Sequence, residues 1–396
     1  MEGIPVTLDE AGLAARARAF LAEHDPESMT PVEFLRARFD AGMAWVHFPE
    51  GLGGLGAPRG AQAVVDRELA GTPQHDVGRL AIGLGMAAPT ILAFGTGEQR
   101  ERFLRPLWTG EEIWCQLFSE PGAGSDLATL ATRAVRDGDE WVVDGQKVWT
   151  SSAHHARWAL LVARTDPDVP KHRGLTYFVC DMRAPGVEVR PLRQITGEAE
   201  FNEVFLTGVR LPDSLRLGEA GDGWRVAQAT LMNERVAISG SAGRGGGVMG
   251  AILDAWRARP ELRTHDLHRR LLGLWVEAEV TRLAGARLRE QLAAGAPGPE
   301  GSGMKLAFAR LNQQVSGLDV EMRREEGLAY DDWTFRRSES VDFFGRDAGY
   351  RYLRAKGNSI EGGTSEILRT IIAERVLGLP AEPRADKDVP WKDLPR

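Results

Sequence analysis

The chain has 396 residues, of which 43% are hydrophobic and 27% are charged. That length suits two or three domains sharing a core, and the composition is ordinary for a soluble globular enzyme. The formal net charge of -7 argues against nucleic acid or an anionic membrane surface as the main partner.

The two cysteines, Cys115 and Cys180, do not have the spacing of a disulfide framework or a zinc site, so we expect no metal. The chain also lacks a basic and apolar leader and an apolar run of about 18 residues. We therefore predict a protein that does not insert into membranes and that works in the cytoplasm.

Residues 1–112 have the apolar spacing of helices and several helix-capping patterns. Thr7–Glu10 and Thr30–Glu33 both match the capping box, and Thr96–Gln99 begins another helix that reaches Leu107. This part of the chain is predicted to be an α-helical domain.

Residues 113–215 change to short apolar runs bounded by Asp, Pro, Gly or Arg. Such strands without helices between them predict an antiparallel barrel or sandwich. Within this region Glu140–Ser152 has alternating apolar residues on either side of Asp144-Gly145, which predicts a hairpin that turns at this pair.

Helical periodicity returns over residues 216–380 and predicts a helix bundle. Residues 381–396 carry several prolines among charged residues and are predicted to be an irregular tail.

The stretch Trp114–Phe118 reads as a buried strand that ends before Glu120-Pro121. After it, Gly122–Asp126 forms a tight loop of small residues whose backbone N–H groups could receive an anion such as a pyrophosphate. Ser119 and Ser125 add hydroxyl groups to the loop. A plain turn without a ligand is the alternative, because glycine is a general turn residue.

The second strand of the expected hairpin delivers Trp149 and Ser151 to one end. The two residues are two positions apart, so a regular pleat would place them on the same side. An indole offers a flat face to an aromatic ring, and a hydroxyl can hydrogen-bond a ring nitrogen or carbonyl.

Three stretches together resemble the acyl-CoA dehydrogenases: Gln116-Leu-Phe-Ser-Glu-Pro-Gly-Ala-Gly-Ser-Asp126, Gly145-Gln-Lys-Val-Trp-Thr-Ser151 and Glu361-Gly-Gly-Thr-Ser-Glu-Ile367. The resemblance covers nearly the whole chain. It implies an α+β multidomain fold with an α-helical N-terminal domain (1–112), a β-barrel domain (113–215) and a C-terminal four-helix bundle (216–380).

The resemblance implies FAD as the cofactor, an acyl-CoA thioester as the substrate and α,β-desaturation as the reaction. Electrons would pass to an electron-transfer flavoprotein. The residues at the family's cofactor-binding positions are Gln116, Leu117, Ser119, Gly124, Ser125, Trp149, Ser151, Gly363, Thr364 and Glu366. Ser125 and Arg235 match positions near the coenzyme A part of the substrate.

The catalytic base has two candidates. Many family members carry a glutamate immediately before Gly-Thr, but Gly362 occupies that place here and Glu361 is one residue early. Other members carry the base on the first long C-terminal helix, just before an arginine, where this chain has Glu234. Glu234 is therefore the first choice and Glu361 the second, while Gly362 could offer its backbone N–H to the thioester oxygen.

Many relatives carry Arg-x-x-Phe-Gly where this chain reads Trp256–Arg263, and that motif binds the FAD of a neighbouring subunit. The resemblance therefore leaves a homo-oligomer and a hetero-oligomer with a related subunit both open. Two further alternatives also stay open. One is a non-catalytic structural subunit of a heteromeric enzyme, and the other is an acyl-CoA oxidase-like flavoenzyme.

Overall fold

The computed structural model describes residues 9–75, 77–238, 243–294, 299, 301–330, 333–338, 346–384 and 386–395. The N-terminal part is helical, as expected. Its helices are α1 (Glu10–Glu23), α2 (Pro31–Asp40), α3 (Gln62–Glu68), α4 (Val77–Ile82), α5 (Ala88–Phe94) and α6 (Gly97–Thr109).

Helix capping follows the sequence pattern in two of three cases. Thr30 and Glu33 form a complete capping box at α2, and Thr96 and Gln99 do the same at α6. Helix α1 instead begins after Asp9, whose side chain accepts a hydrogen bond from the N–H of Gly12 at 2.8 Å. Thr7, predicted to cap this helix, lies outside the described residues.

The middle part of the chain is a mixed, mostly antiparallel sheet of eight strands. The strands are β1 (Trp114–Leu117), β2 (Arg133–Asp137), β3 (Glu140–Ser151), β4 (Trp158–Arg164), β5 (Leu175–Asp181), β6 (Val187–Pro191), β7 (Phe201–Pro212) and β8 (Arg216–Leu217).

The sheet is open, so the expectation of a closed barrel is wrong. The strand order is β6-β7-β3-β2-β4-β5-β8, and β1 runs parallel to β4. The end strands β6 and β8 have five and two residues. Such short end strands present few backbone groups for a closing pair.

The hairpin predicted at Asp144-Gly145 is also wrong, because β3 runs through this pair as one strand. The chain reverses earlier, between β2 and β3, where Gly138 adopts a left-handed conformation with φ of 64°. A Cβ atom on Gly145 would lie 2.3 Å from Oγ1 of Thr132. Gly145 is therefore needed for a close approach and not for a turn.

Alternate residues of the central strands enter two different cores. Leu160 of β4 and Tyr177 of β5 pack with α6 and α7 (Gly223–Ile238). Their neighbours Leu161 and Phe178 face the other side of the sheet. Every residue of β4 is buried, which explains the continuous apolar run in the sequence.

The C-terminal part is a helix bundle, as expected. Besides α7, its helices are α8 (Val248–Ala258), α9 (His265–Ala294), α10 (Gly301–Arg323), α11 (Ala348–Ala355) and α12 (Ser365–Ile371). Helix α10 contacts all the others. Its buried Leu311, Val315, Leu318 and Met322 follow helical spacing and pack with α8 and α9.

The three-part architecture predicted from the sequence is confirmed, apart from closure of the barrel. In the parts of the chain that the structure describes, each helix is too short or too polar to cross a bilayer.

Candidate active site

The loop after β1 is closed by its own backbone. The N–H of Glu120 donates to the carbonyl of Ala123, and the N–H of Ala123 donates back to Glu120, both at 3.0 Å. The Glu120 carboxylate accepts hydrogen bonds from the N–H groups of Ala131 at 2.6 Å and Thr132 at 2.9 Å. A buried carboxylate thus fixes the shape of the loop.

Lys147 joins this loop to β3. Its ammonium is fully buried and donates to Glu120 Oε1 at 2.9 Å and to the carbonyl oxygens of Phe118 at 3.0 Å and Val162 at 2.9 Å. The backbone N–H of Val148 donates to the carbonyl of Ser119 at 2.9 Å. The two sequence motifs therefore meet, with Ser119 beside the end of β3.

Burial and the ion pair have opposite effects on the pKa values of Lys147 and Glu120. Burial by itself raises the pKa of Glu120, but the Lys147 ammonium and the hydrogen bonds to the carboxylate bring it below the ordinary value. Burial lowers the pKa of Lys147, and Glu120 opposes that change. Sequence reasoning assigned neither residue a role, although both lie inside the motifs.

Trp149 has an unusual backbone and an exposed ring. Its φ is 60°, a left-handed conformation that is costly for a bulky residue, and 56% of its surface is exposed. The rings of Trp149 and Phe201 form a T-shaped pair, with centroids 5.7 Å apart. Outliers of this kind concentrate at ligand sites, where the surrounding fold maintains them.

The alternation that was expected to align Trp149 with Ser151 is interrupted. The register between β3 and β7 shifts between Lys147 and Thr150, and Ser152 is also left-handed with φ of 57°. The pleat is therefore irregular at this point, and both residues lie at the end of β3 as predicted.

Three hydroxyl groups of the first two motifs are available to a ligand. Among the described residues, none provides a hydrogen-bond partner for the side chains of Ser119, Ser125 or Ser151. Gly124 and Ser125 are exposed, and a Cβ atom on Gly124 would meet nothing within 4 Å. The loop is thus open, as an anion-binding loop must be.

Gln116 and Leu117 lie on β1, where their backbones are aligned with Leu160 and Leu161 of β4. The side chain of Leu117 is fully buried in the core.

The C-terminal motif is a glycine turn followed by a capped helix. Gly362 and Gly363 have φ values of 62° and 93°, and the buried Lys305 donates to the carbonyl of Gly363 at 2.7 Å. Thr364 caps α12 by accepting from the N–H of Ile367 at 3.2 Å. Glu366 is exposed and faces Arg369 at 3.5 Å.

Glu361, the second choice for the base, is engaged through both carboxylate oxygens. Arg354 donates to them at 2.8 and 3.2 Å, and Asn358 donates to Oε1 at 2.7 Å. By contrast, no acceptor for the N–H of Gly362 is found in the described part of the chain. The Glu361 carboxylate is thus bound by neighbouring side chains, whereas the N–H of Gly362 is available to a ligand.

Glu234 and Arg235 belong to α7, but their side chains lie outside the described residues. Thr230, one turn earlier, is buried and joins three elements. Its hydroxyl contacts the hydroxyls of Thr90 and Tyr177, each at 2.9 Å. Contact with both α5 and β5 fixes the position of α7, a link that sequence periodicity could not reveal.

Glu200 is a buried carboxyl group that the sequence analysis did not identify. Burial raises its pKa, and the nearby charge of Arg354 only partly offsets this effect. Gln194 donates to one carboxyl oxygen, and the Glu200 carbonyl accepts from the N–H of Ser152 at 3.0 Å. Glu200 therefore lies between the end of β3 and the arginine that holds Glu361.

Within the described ranges, no three His, Cys, Asp or Glu side chains come together as a metal site would require.

Comparison with family models gives three matches in chain order. The acyl-CoA dehydrogenase N-terminal domain matches residues 11–111, the middle domain matches 115–209 and the C-terminal domain matches 221–377.

Two curated relatives come from Mycobacterium tuberculosis. The acyl-CoA dehydrogenase FadE34 is 42% identical over 374 residues, covering 93% of this chain and 49% of the relative. This chain thus spans about half the length of FadE34. The acyl-CoA dehydrogenase IpdE1 is 37% identical, with 86% of each chain covered.

A similar solved structure is the ChsE4-ChsE5 complex from Mycobacterium tuberculosis. The TM-score is 0.70 at 25% identity, and the match covers 96% of this chain and all of the other.

Proposed function

The chain belongs to the acyl-CoA dehydrogenase family, and from this premise we propose that it catalyses FAD-dependent α,β-desaturation of an acyl-CoA thioester. The observation that carries the proposal is the left-handed, exposed Trp149 beside Ser119, where the first two motifs meet.

The family binds FAD, and the donor set at this position suits a flavin. Trp149 offers an aromatic surface, while Ser119 and Ser151 offer hydroxyls without partners among the described side chains. The open backbone of Gly124 and Ser125 suits a phosphate group. The residues proposed to hold FAD are Gln116, Leu117, Ser119, Gly124, Ser125, Trp149, Ser151, Gly363, Thr364 and Glu366.

Desaturation requires loss of a proton from the α-carbon and a hydrogen with two electrons from the β-carbon. We assign Glu234 as the base for the α-proton, because both oxygens of Glu361 are already hydrogen-bonded. The N–H of Gly362 would stabilise negative charge on the thioester oxygen. FAD, when bound, supplies the two-electron acceptor.

Ser125 and Arg235 are proposed to contact the coenzyme A part of the substrate. An electron-transfer flavoprotein is the proposed acceptor of the electrons, and the cytoplasm is the proposed compartment. An acyl-CoA oxidase would use the same residues, but its reduced flavin would react rapidly with oxygen.

A second candidate function is that of a subunit in a heteromeric enzyme. Trp256–Arg263 replaces the family motif that reaches a neighbouring subunit's cofactor, and its arginines have contacts within this chain. Arg259 pairs with Glu261 at 2.8 Å and with Glu326, and Arg263 donates to the carbonyl of Trp256 at 3.0 Å. These contacts favour a partner subunit of different sequence that carries the missing Arg-x-x-Phe-Gly motif.

The test is to purify the full chain, alone and with a related subunit, and to measure bound FAD by absorbance. The loaded protein is then mixed anaerobically with a panel of acyl-CoA thioesters and the matching free acids. We expect thioesters to bleach the flavin and free acids not to do so. The proposal is wrong if neither preparation can be loaded with FAD, or if free acids reduce it equally fast.

Two controls separate the alternatives. Rapid reoxidation of the reduced protein by air indicates an oxidase, and slow reoxidation in air with rapid transfer to an electron-transfer flavoprotein indicates a dehydrogenase. Activity that appears only with the related subunit indicates the heteromeric form.

A further inference from the structure

The end of the chain returns to the middle domain and packs against the sheet. We call residues 386–394 the C-terminal strap. Its backbone contacts the loop between β4 and β5: Trp391 N–H donates to the carbonyl of Val169 at 2.9 Å, and Lys392 N–H donates to that of Pro167 at 3.1 Å. The backbone of the strap is therefore hydrogen-bonded to the backbone of this loop.

The Trp391 side chain reaches the turn that follows the Gly/Ser loop. Its indole Nε1 donates to the carbonyl of Thr129 at 3.0 Å. The Arg164 guanidinium lies over the same indole ring, 4.5 Å from its centroid. Arg164 also donates to the carbonyls on either side, Ala128 at 2.5 Å and Leu130 at 3.1 Å. Trp391 and Arg164 thus donate hydrogen bonds to the carbonyl groups of three consecutive residues, 128–130.

A second cation connects the strap to the start of this turn. The buried Lys171 ammonium contacts Asp126 at 2.5 Å and also contacts Asp386 of the strap. Burial alone would lower the pKa of Lys171, but the two carboxylates raise it above the ordinary value, so the lysine stays charged. Asp126 directly follows Ser125, which places this contact next to the open end of the loop.

We propose that the C-terminal strap is a positioning element for residues 125–130 and that Trp391 is its principal positioning residue. The strap contacts the loop at Thr129 directly and at Asp126 through Lys171. It holds the loop in the conformation that receives the nucleotide part of a coenzyme A thioester. This ligand assignment rests on the proposed function, whereas the mechanical role of the strap does not.

The first test measures amide hydrogen exchange in the full chain. Trp391→Phe keeps an aromatic ring near Arg164 but removes the donor to Thr129. We expect the amides of Thr129 and Leu130 to exchange about two- to tenfold faster, as loss of one hydrogen bond implies. Lys392→Gln is the matched control, since it removes only the exposed pair with Asp168. Exchange at wild-type rates in Trp391→Phe overturns the proposal.

The second test compares two substrates that share one acyl group, the coenzyme A thioester and the N-acetylcysteamine thioester, which lacks the nucleotide. Trp391→Phe should raise KM for the coenzyme A thioester about two- to tenfold and leave kcat within about twofold. The kcat/KM for the shorter thioester should not change. Equal loss with both substrates, or no loss with either, overturns the positioning role.

The two tests separate failure of this proposal from failure of the proposed function. If wild-type protein loaded with FAD is not reduced by any coenzyme A thioester, the proposed function is wrong. The exchange measurement then still decides whether the strap holds the loop.

Discussion

The ammonium of Lys147 lies 2.9 Å from Oε1 of Glu120, and the two side chains are 0% and 8% exposed. This buried pair holds the Gly/Ser loop against β3, the strand that carries Trp149 near its end. Since the lysine also donates to two carbonyl groups, its removal would leave both a carboxylate and backbone acceptors without a cation.

We therefore predict that Lys147→Met lowers the free energy of unfolding by about 3–5 kcal/mol, the usual cost of breaking a buried pair. Urea unfolding followed by circular dichroism measures the change. In the double variant Lys147→Met with Glu120→Gln, the free energy of unfolding should fall by less than the sum of the two single-variant losses. The reason is that neither charge of the pair then remains buried without its partner. Arg190→Gln, which removes an exposed pair with Glu188, is the control and should have little effect. A Lys147→Met protein as stable as wild type would contradict the prediction.

Because the backbone of Trp149 is left-handed, the effect of its indole on the flavin can be measured without a loss of protein stability. Trp149→Gly relieves the backbone strain while it removes the indole, so the free energy of unfolding should stay within about 1 kcal/mol of wild type. The absorbance of bound FAD, or the rate of its reduction by acyl-CoA, should nevertheless change.

Arg324→Gly is the matched control for Trp149→Gly. Arg324 has a φ of 53° and is exposed in the turn after α10, so its replacement relieves the same kind of strain elsewhere. We expect this variant to keep the flavin spectrum and reduction rate of wild type. An unchanged spectrum and rate in Trp149→Gly would mean that the indole does not contact the flavin.

Local patterns predicted the helices and the positions of the motifs well. The capping boxes at Thr30 and Thr96 depend only on residues three apart, and the helical spacing of Leu311, Val315 and Leu318 depends only on neighbouring turns. The end of β1 and the open loop after it were likewise readable from an apolar run that stops at a proline.

Contacts between distant residues could not be predicted in this way. Asp144-Gly145 is a strong turn signal by itself, but the glycine serves a close approach to Thr132. The register shift between Lys147 and Thr150, which contains the left-handed Trp149, depends on pairing with β7. The pair of Arg354 with Glu361 depends on how α11 ends, which bears directly on the choice of base.

Glu200 should make stability depend on pH. Burial raises the pKa of its carboxyl group above the ordinary 4.5, so the folded protein retains this proton to a higher pH than the unfolded chain does. The contribution of Glu200 to the free energy of unfolding is therefore fully present below pH 4.5. It is lost as the pH rises through the raised pKa, because over that range the unfolded chain binds fewer protons than the folded protein.

We predict that Glu200→Gln, which has no proton to lose, becomes more stable relative to wild type as the pH rises above 4.5 through the raised pKa of Glu200. Urea unfolding at several pH values measures this difference, and Glu219→Gln provides an exposed control. A difference that stays constant or falls with rising pH would contradict the assignment.

The identity of the base gives the sharpest prediction for catalysis. Glu234→Gln should keep FAD and bind acyl-CoA, because an amide has nearly the shape of the carboxylate. It should nevertheless lose flavin reduction by about 10²–10⁴-fold, the usual effect of removing a general base. Stopped-flow absorbance under anaerobic conditions measures the rate, and a spectral shift on mixing with acyl-CoA reports binding.

Glu361→Gln is the matched control, since the sequence analysis gave both residues as candidates. Its carboxylate holds the buried Arg354 at 2.8 and 3.2 Å, so the amide should weaken that pair and lower the free energy of unfolding. Flavin reduction should stay within about tenfold of wild type, because a structural glutamate does not take the α-proton. If Glu361→Gln is folded and inactive while Glu234→Gln is fully active, the base is Glu361, and its contact with Arg354 must open before the proton can be removed.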